Sequence, residues 1–181
     1  SFKTGASEAA TEKMSISSVG NVTMKQTATT DDTPMTLLLQ TGETDIVADD
    51  VLGKIQFQAP DEAGGTDAIL VAAEIAAVSE GTFAADNNAT KLSFMTGASE
   101  AASEKMSLSS GGDLELISAD AGAGLGPTFT LSRDSASPAV SDFLGNIDFN
   151  GKNDAGQDVT YAEISTLILD KADGTEDGRL D

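Results

Sequence analysis

The feature that most constrains this chain is an internal repeat. Residues 93–114 read SFMTGASEAASEKMSLSSGGDL and residues 1–22 read SFKTGASEAATEKMSISSVGNV, with 16 identities in 22 positions at a constant offset of 92. Most differences are like for like, as in Thr11 for Ser103, Ile16 for Leu108 and Val22 for Leu114. The echo continues downstream. Pro34 is answered by Pro127, residues 50–57 (DVLGKIQF) by residues 142–149 (DFLGNIDF), and Ala73-Glu74-Ile75 by Ala162-Glu163-Ile164. The chain therefore reads as two copies of one unit, residues 1–92 and 93–181. Arg179-Leu180 takes the place of Lys91-Leu92, so the pattern stops in mid-phase and a longer repeat array is expected.

Such a unit has little with which to build a core of its own. Only 39% of the chain is hydrophobic and 4% aromatic, with 18 Gly. Units this short, with so few large side chains, bury their apolar face against a neighbour, in the next repeat or in another subunit.

Apolar residues recur at every second position, the period of a strand with one buried face. Met14-Ser15-Ile16-Ser17, the turn Val19-Gly20-Asn21 and Val22-Thr23-Met24 read as strand, turn, strand, and the same pattern surrounds Gly111-Gly112-Asp113. Further strands are expected at 35–41 and 128–133, at 50–57 and 142–149, and from residue 91. Gly53 and Gly145, each two residues before an Ile, suit a bulge, a tight bend or a close backbone approach. Residues 68–79 (AILVAAEIAAVS) are rich in helix formers, but the matching residues 159–170 (VTYAEISTLILD) favour strand. Homologous segments share one structure, so both are expected to be strands and the fold class all-β. Residues 4–7 read as a small-residue loop, 8–10 as at most one helical turn, and 61–65 and 153–156 as turns. The alternation singles out one apolar stripe as core or intersubunit contact: Met14, Ile16, Ile55, Phe57, Phe94, Met106, Leu108, Ile147 and Phe149.

The formal charge of −20 argues against nucleic acid and against anionic lipid as partners. No segment reaches the roughly 20 apolar residues of a membrane-spanning helix. With no His and no Cys there is no Ser-His-acid triad, no Cys nucleophile and no His/Cys zinc site, and no enzymatic activity, catalytic residue or cofactor is expected. Residues 122–126 (GAGLG) lead into no helical pattern and read as a loop rather than a phosphate cradle. The acidic loop at residues 170–178 (DKADGTEDG) raises the question of calcium. It lacks the D-x-[DN]-x-[DN]-G spacing and a Glu six residues after the Gly, so a solvated turn is the expected reading. Asn21 and Asn88 open glycosylation sequons, short patterns that carry weight only in a secreted protein.

Residues 144–181 resemble a repeat of bacteriophage tail fibres and related fibrous virion proteins, notably those of marine cyanobacterial phages. The elements are Leu144-Gly145-x-Ile147-x-Phe149, a turn, Tyr161-Ala162-Glu163-Ile164, and Asp173-Gly174-Thr175-Glu176-Asp177-Gly178 before an apolar residue. Residues 104–114 (EKMSLSSGGDL) are similar to the stretch that follows in such fibres, and the first copy departs from the pattern at residues 86–90 (DNNAT). The resemblance implies an elongated, fibrous parallel homotrimer, intertwined in β-helix or β-prism fashion, with each chain's apolar stripe closed by its two partners. The expected role is a structural shaft segment on the virion, outside the host cell. Other virion tail proteins would be its neighbours, and the host receptor would be contacted by another part of the fibre. The alternative is an acidic, calcium-binding bacterial surface adhesin of tandem β domains, each folding alone. A depolymerase is a third option, for which the sequence offers no carboxylate-lined groove.

Overall fold

The computed structural model describes residues 2–4, 11–60 and 64–180. Among them are eleven strands in three antiparallel sheets, none closed, so the fold is all-β. The first sheet holds β1 (Phe2–Thr4), β2 (Thr11–Ile16) and β3 (Val22–Met24). The second holds β4 (Val51–Gln58), β5 (Val71–Ser79), β6 (Thr90–Thr96), β7 (Ser103–Leu108) and β8 (Leu114–Leu116). The third holds β9 (Phe143–Lys152), β10 (Asp158–Asp170) and β11 (Asp177–Leu180). Every pairing joins strands adjacent in sequence, so each sheet is a meander. The first two sheets belong to one compact unit, Ser1–Ile117, and the third to another, Ser118–Asp181.

The sequence repeat maps onto these sheets. β1–β3 correspond to β6–β8, and β9–β11 to β4–β6, so the five-stranded sheet carries one complete set of strands. The repeat boundary at residue 92 falls inside β6, because the sequence period and the sheets are out of phase. The sheets are separated instead by long irregular stretches, residues 25–50 and 117–142.

The helix-prone residues 68–79 resolve into a single 3-10 turn, Asp67–Ile69, and strand β5. The strand wins because both neighbours use it. Ala73 sits between Phe57 and Thr96, and Ala77 between Gly53 and Leu92. Small side chains on the central strand leave room for the large ones beside them. Its counterpart β10 is a strand as expected, and so are the hairpins of both copies. Each hairpin closes on a Gly at positive φ, Gly20 at 86° and Gly112 at 89°, where a Cβ would be strained. Beside them Ser17 Oγ and Ser109 Oγ accept from the amides of Asn21 and Asp113 at 3.0 Å.

Two expected strands are not strands. Residues 35–41 and 128–133 run without ladder partners in this chain. The reason lies in the Gly of the following strand. A Cβ on Gly53 would lie 2.8 Å from Leu39 Cβ, and one on Gly145 would lie 2.9 Å from Leu131 Cβ. The leucine backbone therefore crosses over the sheet face at the Gly instead of pairing along the sheet edge. Of the three readings for these glycines, close approach is observed, and so is a bulge, since the ladder skips one residue between Val51 and Gly53 and again between Phe143 and Gly145. Both β4 and β9 are then led in by the same turn: Asp50 and Asp142 carboxylates accept from the amides of Val47 (2.7 Å) and Ala139 (3.0 Å). The helical turn expected at 8–10, most of the loop at 4–7 and part of the turn at 61–65 lie outside the described residues.

Replacing Gly53 or Gly145 with Val is expected to lower stability by about 1–3 kcal/mol through overpacking against the leucine. Gly126→Val, where a Cβ meets nothing within 4 Å, is expected to stay within about 0.5 kcal/mol. Urea midpoints of the three variants provide the check, and equal shifts would contradict the packing described.

Candidate assembly surface

Residues paired across a ladder project to the same face, and so do alternate residues along a strand. Applied to the second sheet, the register builds two apolar rows on one face. Ile55, Ile75, Phe94, Met106 and Leu116 cross all five strands as one row. Gly53, Ala77, Leu92, Leu108 and Leu114 form the next. Phe57 begins a third with Ala73 and Thr96.

The other sheets repeat these rows. In the first, Phe2, Met14 and Met24 match Phe94, Met106 and Leu116, and Ile16 with Val22 matches Leu108 with Leu114. In the third, Ile147 pairs Ile164 and Phe149 pairs Ala162, as Ile55 pairs Ile75 and Phe57 pairs Ala73. All nine stripe residues read from the sequence thus lie on these faces, five of them together in the second sheet. Their partners Ile75, Leu92, Leu116 and Ile164 were not singled out in the sequence. Their signal was present, since each continues the alternation of its own strand.

This face is open. Thirty-one large hydrophobic side chains are exposed, against three buried hydrophobics, Ala76, Val78 and Leu167, among the described residues. Ile55 is 45% exposed, Phe57 54% and Phe149 51%, while Phe94 and Met106 are half-buried. Over it, the leucine segment forms a shallow groove of about 390 Å³ walled by Leu37, Leu39, Ile55, Ile75 and Leu92.

The opposite face carries small and charged side chains. Lys54, Ala76, Ser93, Ser107 and Glu115 form one row across it. Ala76 and Ser93 are almost wholly buried, and Ser165 and Leu167 repeat Ala76 and Val78 in the third sheet. Ser93 Oγ donates to Glu104 Oε2 at 2.6 Å, and Lys91 Nζ reaches the same oxygen at 2.9 Å. Glu74 accepts from Gln56 and pairs with Lys54 at 3.5 Å. The Ser93 hydroxyl, assisted by Lys91 and opposed by partial burial, holds the Glu104 carboxyl below its ordinary value of 4.5. These groups are satisfied within the sheet, and none is left aimed at a ligand.

The acidic loop at 170–178 turns its carboxylates inward. Asp170 Oδ1 accepts from the Ala172 amide at 2.9 Å and Oδ2 from the Thr175 hydroxyl at 3.1 Å. Glu176 Oε1 accepts from the Gly174 amide at 3.2 Å. The bonds to Asp170 lower its pKa, that of Glu176 is lowered first by its own backbone amide and then by that of Gly174, and together these bonds close a turn. No group of three or more acids is placed to hold a metal among the described residues. Comparison with protein-family models and with curated protein sequences returns no match.

A depressed carboxyl pKa contributes stability that is present above the unfolded value and lost as pH falls through the folded one. Ser93→Ala, which removes a hydrogen bond to a charged group, is expected to cost about 1.5–3 kcal/mol at pH 7. That difference from wild type is expected to shrink as pH drops below the ordinary carboxyl value of 4.5. Urea unfolding at pH 7 and at pH 3.5 makes the comparison; a gap that stays constant would contradict the role given to Glu104.

Proposed function

We propose that this chain is a shaft segment of a bacteriophage tail fibre, a parallel homotrimer on the virion that holds a receptor-binding part away from the particle. The observation that carries the reading is the apolar face whose rows recur in all three sheets and stay largely exposed among the described residues. The motif resemblance supplies the fibre; the open face supplies the need for partners.

Surface area supports the same reading. The chain exposes 13663 Å². Two compact units of these lengths would expose about 9,800 Å² together. The excess, roughly 3,900 Å² per chain, is of the size that obligate interfaces bury. Irregular segments contribute to it, and so do the exposed apolar side chains. Three chains around a common axis would each close the stripe of the next, and they would also shelter strand edges that invite aggregation on a monomer. The work is mechanical, spread over many contacts, and no residue is assigned a catalytic role.

Analytical ultracentrifugation at micromolar concentration is expected to show a trimer with a high frictional ratio; a compact monomer would defeat the proposal. Phe149→Asp deletes a side chain worth about 1.5–3 kcal/mol when buried. Counted once per chain, the loss is about 5–9 kcal/mol per trimer, a fall of about 10⁴-fold or more in association constant. Asp177→Asn is expected to leave assembly unchanged, and equal effects of the two would contradict the stripe assignment.

A further inference from the structure

The segments that fail to pair within the chain are residues 36–40 (TLLLQ) and 128–132 (TFTLS), and the second, with two Thr and a Phe, has the composition of a strand. Taken at the offset of 92 set by Leu39 and Leu131 over their glycines, they place Leu37 with Phe129 and Leu39 with Leu131. Both copies are therefore apolar at the same alternate positions. Leu37 and Leu39 are 58% and 44% exposed, Phe129 and Leu131 66% and 44%. No hydrogen bond joins the backbone groups of these residues to any partner among the described residues. A strand-like segment with a full set of free backbone donors and acceptors is the substrate of β-augmentation.

We propose that residues 36–40 and 128–132 are strands of a second sheet layer, and that their ladder partner is a strand from a second copy of this chain. Three observations point to a copy of the chain as the occupant. The feature occurs twice, at the same place in the repeat, so it belongs to the array. The exposed area exceeds that of compact units by an amount suited to an obligate interface, as set out above. And the segments are free of charge: residues 33–42 and 121–132 contain no Asp, Glu, Lys or Arg in a chain of net charge −20. Two like-charged copies meet the least repulsion along such uncharged windows. The leucines also fix where the layer sits. Leu39 and Leu131 are seated on Gly53 and Gly145, which holds each segment above its own sheet face with its backbone edges free to pair.

The inference rests on the trimer reading and can fail separately from it. Hydrogen–deuterium exchange read by mass spectrometry on the full chain, with sedimentation of the same sample, tests both. Amides of residues 36–40 and 128–132 are expected to exchange about 100-fold or more slowly than an unstructured peptide. Residues 123–126 serve as the unprotected reference, with Leu125 91% exposed. Protection is expected to vanish on dilution to the dissociated chain, since these amides have no acceptor among its described residues. A sedimenting trimer whose segments exchange as fast as the reference would overturn this inference and leave the trimer standing. A monomer at micromolar concentration would overturn both.

Discussion

A β-sheet that gathers its bulky side chains on one face must have that face covered. Backbone ladders hold the strands in register, but they do nothing to remove apolar surface from water. In this chain the covering layer is nearly absent. Among the described residues the buried side chains are mostly small or polar, Ala76, Val78, Glu74, Ser79, Ser93, Ser107 and Ser165, with Leu167 the one large apolar exception, and together they contribute little transfer free energy. Ile55, Phe57, Ile147 and Phe149, which would contribute most, remain about half exposed. The sheets thus have local pairing and local polar networks, but no core large enough to offset the entropy of ordering their residues. That one deficit shapes the functional reading.

The leucine segments show how the chain begins to address it. Each drops one Leu onto a Gly of the first strand, at Gly53 and again at Gly145, the only way a backbone can come so near a sheet face. The contact places an extended strip over the apolar rows without covering them. It also forgoes the free edge of β4 and β9, where an ordinary meander would have placed another strand. A strip held in that position is partly organised for pairing, so less conformational entropy remains to be lost when a partner arrives.

Most of the sheet content was legible in the sequence, and the places where it was not are instructive. Residues 68–79 alone would read as a helix; comparison with residues 159–170 corrected this, because Tyr161, Ser165 and Thr166 there replace three of the helix-favouring alanines of the first copy. The stripe was legible from alternation, whereas the row structure was not, since register depends on hydrogen bonding between strands up to 20 or more residues apart. Residues 35–41 alternate well enough to be read as a strand, yet alternation reports side-chain facing and not whether a ladder partner exists within the same chain. The repeat boundary at residue 92 marked a period without marking a domain, because a repeat can be counted from any phase and the sheet begins at residue 51. Ser93 and Glu104 gave no signal at all: a Ser in a small-residue stretch shows its buried partner only once β6 and β7 are paired.

Charge and apolar content are sorted onto opposite sides of the same strands. Lys54, Glu74, Lys91 and Glu104 belong to the polar face, and the rows through Ile55 and Leu92 contain no ionisable residue. The third sheet sharpens this sorting, since Asn146 and Asp148 stand where the second has Lys54 and Gln56, and Asp148 lies directly opposite Glu163. Two carboxylates across a ladder are tolerable where water and salt can screen them, and Asp148 and Glu163 are both exposed. With net charge −20, copies of this chain repel one another in every orientation that opposes polar faces. The orientation that opposes apolar rows keeps the charges outermost and the desolvated surface neutral. In the proposed assembly the acid excess would therefore not oppose self-association uniformly; it would disfavour the arrangements that oppose polar faces and spare the one that joins the exposed rows.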